Sequence, residues 1–107
     1  MVFGVIEKIM YPKNEFRAVW IATVANIDWP KNSTDPVEKQ KSDFIEILDT
    51  YKKLRYNAVI VQIRSNGDAF YPTDLAPWSR NLTGKEGKAP SPYYDTLEWM
   101  IHEAHQR

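Results

Sequence analysis

The stretch NAVIVQIRSNGDAFYPTDLAPWS, residues 57–79, joins a short apolar run to a long polar and aromatic loop. Residues 58–63 hold four β-branched side chains and no turn signal, which is the pattern of a strand buried on both faces. Strands of this kind belong to parallel sheets. Gln62 and Arg64 share one face, so that face turns polar toward the carboxyl end of the strand. We therefore expect a parallel sheet whose functional side chains lie in the loop after this strand.

A second apolar run lies nearer the amino terminus. Residues 16–24, FRAVWIATV, predict another buried strand, and a loop of polar and aromatic residues follows at residues 25–34. Residues 1–14 show no periodic pattern and end in a turn-type cluster, so we expect them to be loosely ordered. The predicted domain then comprises residues 15–107.

Two segments carry helix-start signals. The first helix is predicted to take Asp35 as N-cap and Pro36 as its first helical residue, and to end near Leu54. The second is predicted to take Asp95 as N-cap. The order strand, helix, strand, helix predicts an α/β fold made of two β/α units, whose buried strands need further sheet neighbours.

Composition excludes several classes of function. Fourteen basic and fourteen acidic residues give no net charge and no basic stripe, so nucleic acid is not an expected partner. The sequence has no cysteine, and His102 and His105 with Glu98 do not form a zincin motif, so no metal or cofactor is predicted. Residues 1–10 lack the features of a signal peptide, and no apolar run is long enough to span a membrane.

Three blocks of the sequence closely resemble the amino-terminal part of the glycosyl-hydrolase-like 10 family, once filed as a domain of unknown function. They are EFRAVWIATVANIDWP (residues 15–30), NAVIVQIRSNGDAFYPTDLAPWSRNLTGKEGKAP (57–90) and YYDTLEWMIHEAHQR (93–107). The motif IDWP and the run Q-x-R-x-x-G-D-A-x-Y-P are the most specific parts. Arg55 or Tyr56 is expected to take the left-handed position at the helix-to-strand turn, and Arg55 is one departure, because the family usually has glycine there.

The resemblance implies a TIM-type (β/α)8 barrel, of which this chain would be the first two units and therefore an incomplete fragment. It also implies a bacterial glycoside hydrolase. Members of the family are often exported or anchored in the cell envelope. The compartment of this chain itself stays open. Barrel glycosidases usually carry their acid and nucleophile on later strands, so the resemblance implies that residues in this part hold sugar hydroxyls or orient a catalytic group.

Two carboxylates are candidates for acid–base or nucleophilic chemistry. Asp28 and Asp68 each follow a predicted strand, and neighbouring strand ends can bring carboxylates to the separations that glycosidases use. The structural alternative is that Asp68 bonds the backbone of its own turn and that Asp28 holds the loop before Trp29.

The candidate substrate-binding residues are polar or aromatic and lie in the loops after the two strands: Arg64, Asn66, Asp68, Tyr71, Trp78 and Trp29. A guanidinium at the end of a buried strand needs an acceptor, so Arg64 is expected to pair with Asp68, to contact a ligand, or to do both. The aromatic rings offer faces for sugar stacking, and their alternative role is to cover the end of the core.

The sequence therefore predicts part of a glycoside hydrolase that acts on a glycan, with the cell wall as one source, by a two-carboxylate mechanism. The chain alone is expected to be inactive. One alternative is a carbohydrate-binding fragment without catalysis. Another is a truncated product without independent function that self-associates through open strand edges.

Overall fold

The centre of the fold is a strand with a neighbour on each side. The computed structural model describes residues 2–7, 17–64 and 67–107. In it, β3 (Ala58–Arg64) lies between β1 (Val2–Glu7) and β2 (Ala18–Ile21). β2 runs parallel to β3. The predicted buried strand and its parallel partner are thus confirmed, and the fold is of the α/β class.

β1 lies within residues 1–14, the segment that was predicted to be loosely ordered. Residues 2–7 pair antiparallel with β3, from Val2 opposite Arg64 to Glu7 opposite Ala58. The pattern of apolar residues does not reveal this strand, because the strand forms by pairing with backbone groups that are distant in the sequence. Residues 8–14 lie outside the described part of the chain.

The helices are α1 (Val37–Lys53), the short α2 (Arg80–Thr83) and α3 (Thr96–His105). The prediction that Asp35 caps α1 is wrong: the N-cap is Pro36, in an extended conformation, and no side chain caps this end. The reason is a turn in which the Asp35 N–H donates to the Asn32 carbonyl at 3.1 Å, which leaves Asp35 outside the helix. The Asp95 prediction is confirmed, because its carboxylate accepts from the Glu98 N–H at 3.1 Å.

The helix-to-strand turn after α1 follows the sequence prediction. Arg55 takes a left-handed backbone conformation with φ of 67°, the position where relatives were expected to use glycine. Leu54, near which the helix was predicted to end, is 54% exposed.

The core joins the sheet to both long helices. Phe44 of α1, Met100 of α3 and Val61 of β3 are all fully buried and belong to one cluster. Within the described ranges, no helix is both long and apolar enough to cross a membrane.

Candidate functional site

The carboxyl ends of β2 and β3 lie side by side, because the two strands are parallel and in register. Gln62, which is buried, ties the loop after β2 to β3. Its side-chain oxygen accepts from the N–H groups of Thr23 at 3.0 Å and Val24 at 3.1 Å. The Thr23 hydroxyl in turn donates to the Gln62 carbonyl at 2.8 Å. Gln62 therefore positions one loop of the site, a role that its place on the polar face did not predict.

Asp28 holds the loop after β2. Its carboxylate accepts from the Ala22 N–H at 2.8 Å, and its own N–H donates to the Ala22 carbonyl at 2.9 Å. This arrangement matches the structural alternative proposed for Asp28. One carboxylate oxygen is thereby engaged by the backbone.

Trp29 is a core residue. Its side chain is fully buried, its ring centroid lies 5.1 Å from Phe44 and 6.1 Å from Phe70, and its indole N–H donates to the Gln40 carbonyl at 2.7 Å. The prediction that Trp29 offers a face to a sugar is therefore wrong. The physical reason is that the loop folds back over the end of the sheet, so the largest ring in it fills the core.

The loop after β3 turns sharply and returns to the strand. Gly67 has φ of +74°, as expected of the turn sequence around it. The Phe70 N–H then donates to the Ile63 carbonyl at 3.0 Å. This path brings Asp68 into the interior, where it is 2% exposed. Asn66 lies outside the described residues.

Arg64 and Asp68 both have a buried polar atom that lacks a partner. The ion pair with Asp68, one of the alternatives expected for Arg64, does not form between these two described residues. The Arg64 Nη2 donates to the Gly67 carbonyl at 3.4 Å. Arg64 Nε and Asp68 Oδ1 are buried, and neither has a hydrogen-bond partner. A buried polar group without a partner costs about 1–3 kcal/mol, and more when it is charged. An unused donor and an unused acceptor are thus present at the carboxyl end of β3.

Aromatic side chains line the same loop. Tyr71 and Trp78 are half-buried and pack against the core. The Trp78 ring also contacts Tyr93 edge-on, with centroids 6.2 Å apart, and Tyr93 is 61% exposed. Tyr93 was missed among the candidates because it lies just before α3, far along the chain from β3.

A cleft of about 300 Å³ lies between the two loops, beside the amino end of α1. Its floor includes Gln40, whose side-chain amide donates to the Leu82 carbonyl at 2.9 Å and so joins α1 to α2. Much of its lining is hydroxyl-bearing: Ser33, Thr34, Thr83 and Ser91. Asp35 and Lys88 also line the cleft, so its walls are polar and carry both signs of charge.

The model of the glycosyl hydrolase-like 10 family matches residues 15–107. The chain belongs to this family. Glycosyl hydrolase YngK of Bacillus subtilis (strain 168) is 53% identical over 93 residues, which cover 87% of this chain and 18% of YngK. Glycosyl hydrolase DigH of Escherichia coli (strain K12) is 38% identical over 98 residues, which cover 85% of this chain and 22% of DigH.

DigH of Shigella flexneri matches equally well. The chain thus spans about a fifth of the length of these relatives, as the 18% and 22% coverages show. Four of the predicted site residues lie close along the chain. Arg64 is the last residue of β3, and Asp68, Tyr71 and Trp78 lie in the loop after it. β1 precedes the region that the family matches.

Proposed function

We propose that this chain supplies part of the substrate-binding surface of a glycoside hydrolase. In this proposal the β2–α1–β3 unit opens a (β/α)8 barrel, and the complete enzyme cleaves a glycan, such as one from the bacterial cell wall, by a two-carboxylate mechanism. Family membership and two relatives named glycosyl hydrolases support the class of enzyme. The observation that carries the proposal is the unpartnered pair of buried atoms, Arg64 Nε and Asp68 Oδ1.

A sugar hydroxyl matches this pair chemically. A hydroxyl is both a donor and an acceptor, so sugar hydroxyls can accept from Arg64 Nε and donate to Asp68 Oδ1. Hydrogen bonds to charged groups are stronger than those between neutral groups, which favours a polyol over an apolar ligand. The half-buried rings of Tyr71 and Trp78 in the following loop offer apolar faces for the carbon side of the sugar.

The catalytic acid and nucleophile belong to other strands in this proposal. Asp28 already accepts a backbone N–H, which suits a residue that shapes the loop better than one that must exchange a proton. Asp68 stays a candidate for direct chemistry because one of its oxygens is unengaged. We therefore expect the isolated chain to bind sugar without cleaving it.

The test is to titrate the 107-residue chain with a panel of oligosaccharides by calorimetry, together with an assay for newly formed reducing ends. Arg64→Ala should weaken binding at least ~10-fold, which is about 1.4 kcal/mol, because it removes a charge-assisted hydrogen bond. Arg80→Ala is the matched control, since Arg80 is exposed. Equal affinities for the two variants, with circular dichroism showing both folded, would contradict the assignment of Arg64. Absence of binding to every sugar would contradict the proposed site.

A second candidate function is carbohydrate binding with no catalytic role. The structural engagement of Asp28 favours it, because one of the two candidate carboxylates already accepts a backbone N–H and holds its loop. If Asp68 instead takes part in cleavage within the complete enzyme, Asp68→Asn in a full-length relative should abolish product formation while sugar is still bound. Retention of cleavage by that variant would favour a binding role alone.

Self-association is a further proposal for the isolated chain. The sheet of the described residues has three strands, and open strand edges of a partial β/α sheet can pair with a second chain. Light scattering over a range of concentrations tests this, and a mass that stays monomeric would contradict it.

A further inference from the structure

We infer that Tyr93 contacts the substrate, and that its ring stacks on the second sugar unit of a glycan whose first unit is bound by Arg64 and Asp68. The ligand class is therefore an oligosaccharide rather than a single sugar. This inference rests on the proposed glycan-binding function, which it extends by one residue and one sugar unit.

A backbone bridge places Trp78 beside the proposed binding residues. Ala69, which directly follows Asp68, pairs with Trp78 in parallel. The Ala69 N–H donates to the Pro77 carbonyl at 2.8 Å, and the Ser79 N–H donates to the Ala69 carbonyl at 2.9 Å. Trp78 is thereby fixed next to the turn that carries Asp68.

Tyr93 extends this surface outward from Trp78. The two ring centroids lie 6.2 Å apart, and the ring planes are nearly perpendicular, at 88°. Trp78 is half-buried and packs against the core, whereas Tyr93 is 61% exposed. A perpendicular contact engages at most one face of the Tyr93 ring, so the other face is available to a ligand.

The difference in depth between the two parts of the site sets the length of the ligand. Asp68 is almost fully buried, and the unpartnered atoms Arg64 Nε and Asp68 Oδ1 are buried with it. The Tyr93 ring lies at the surface. A ligand that bonds to the buried atoms and also covers the exposed ring must run from the interior to the surface. We assign this path to two linked sugar units.

The Tyr93 ring suits the carbon face of a sugar. Tyrosine offers a large contact area at low conformational cost, because its side chain has only two torsions. Pro92 restricts the backbone before it, and the Tyr94 ring after it contacts Trp99 edge-on, with centroids 5.9 Å apart. A ring that is already held in place loses little entropy on binding. A ring that only covers the core is buried, as Trp29 is.

The test is an NMR titration of the 107-residue chain with the single sugar, the disaccharide and the tetrasaccharide of N-acetylglucosamine and of cellulose. The parent chain should bind each disaccharide more tightly than its single sugar, and the ring signals of Tyr93 should shift only with the longer ligands. Tyr93→Ala should weaken disaccharide binding by roughly 5-fold, the loss expected when about 40 Å² of apolar surface is no longer covered. It should leave single-sugar binding unchanged. Tyr93→Phe retains the ring face and should bind as the parent does.

Leu54→Ala is the matched control, because Leu54 is also a large apolar residue with an exposed side chain. It follows α1, in the turn that leads into the amino end of β3, and its replacement should leave binding unchanged. Equal disaccharide affinities of Tyr93→Ala and Leu54→Ala, or Tyr93 ring signals that do not move, would overturn the inference and leave the glycan-binding proposal standing.

Three further outcomes would also overturn the inference. An equal loss of affinity in Tyr93→Phe would mean that the hydroxyl, and not the ring face, binds the sugar. Weaker single-sugar binding by Tyr93→Ala would contradict the assignment to the second unit. Absence of binding of every one of these ligands by the parent chain would overturn this inference together with the glycan-binding proposal. If Tyr93→Ala does not fold, the ring signals of the parent chain and the affinity of Tyr93→Phe still test the inference.

Discussion

Gln62 provides the sharpest test of how the site is held in place. Replacing it with methionine keeps the length of the side chain but removes the oxygen that accepts from the Thr23 and Val24 N–H groups. Gln62 is 4% exposed and Thr23 is fully buried, so water cannot fully replace the lost acceptor. We therefore expect the loop after β2 to lose its attachment to β3 and the fold to lose stability.

The size of the effect follows from the number of orphaned donors. An unsatisfied buried donor costs about 1–3 kcal/mol, and two donors are affected here. Val24 is only half-buried, so solvent partly compensates its loss. We expect the free energy of unfolding to fall by about 2–4 kcal/mol, a large share of the ~5–15 kcal/mol typical of a domain.

The assay is urea unfolding followed by circular dichroism. Gln106→Met is the matched control, because Gln106 is exposed and bonds only to His102, at 2.9 Å, among the side-chain contacts described. It should change stability by less than about 0.5 kcal/mol. If Gln62→Met also falls within 0.5 kcal/mol of the parent, at an unchanged urea dependence, the reasoning about orphaned donors is refuted.

Three further predictions concern α1 and α3. Lys41→Met removes an ammonium that lies 4.4 Å from the centre of the Tyr94 ring and should cost about 0.5–1 kcal/mol in urea unfolding, whereas an unchanged midpoint would contradict a cation–π role. Burial raises the pKa of the Tyr94 hydroxyl, so its contribution to stability should be constant below the ordinary tyrosine value of about 10 and fall as the pH rises above it. Tyr94→Phe should flatten that part of the pH profile, and an equally steep profile would contradict the assignment. Asp95→Ala removes the cap of α3 and should cost about 1 kcal/mol, with Asp95→Asn as the conservative control that retains most of the stability.

Local signals predicted much of the framework. The run that became β3 and the D-x-x-E start of α3 depend on neighbours within a few positions, and both are confirmed. The left-handed residue after α1, expected at Arg55 or Tyr56, is Arg55. The wrong cap of α1 shows the limit of this reasoning. Asp35 has the right residue type, but a bond from its N–H to Asn32 closes a turn that leaves it outside the helix.

The site residues divide in the same way. The sequence indicated that Arg64 and Asp68 lie at the end of a buried strand, because alternation along a strand and the turn after it are local properties. It could not decide that Trp29 is buried, since that depends on Phe44 and Phe70, which lie on other parts of the chain. The aromatic composition of a loop is the same whether its rings cover a core or face a ligand.

The sequence by itself determined the α/β class, the parallel pair of strands, most of the element order and the family. The tertiary structure alone decided which strand covers the far edge of β3, which aromatic ring enters the core, and which polar atoms stay unpartnered. The physical reason is the range of the interactions. Helix starts and strand alternation are encoded by adjacent residues, whereas the Gln62 bonds to the loop after β2 join residues up to 39 positions apart. Burial and pairing at that range exist only once the chain has folded.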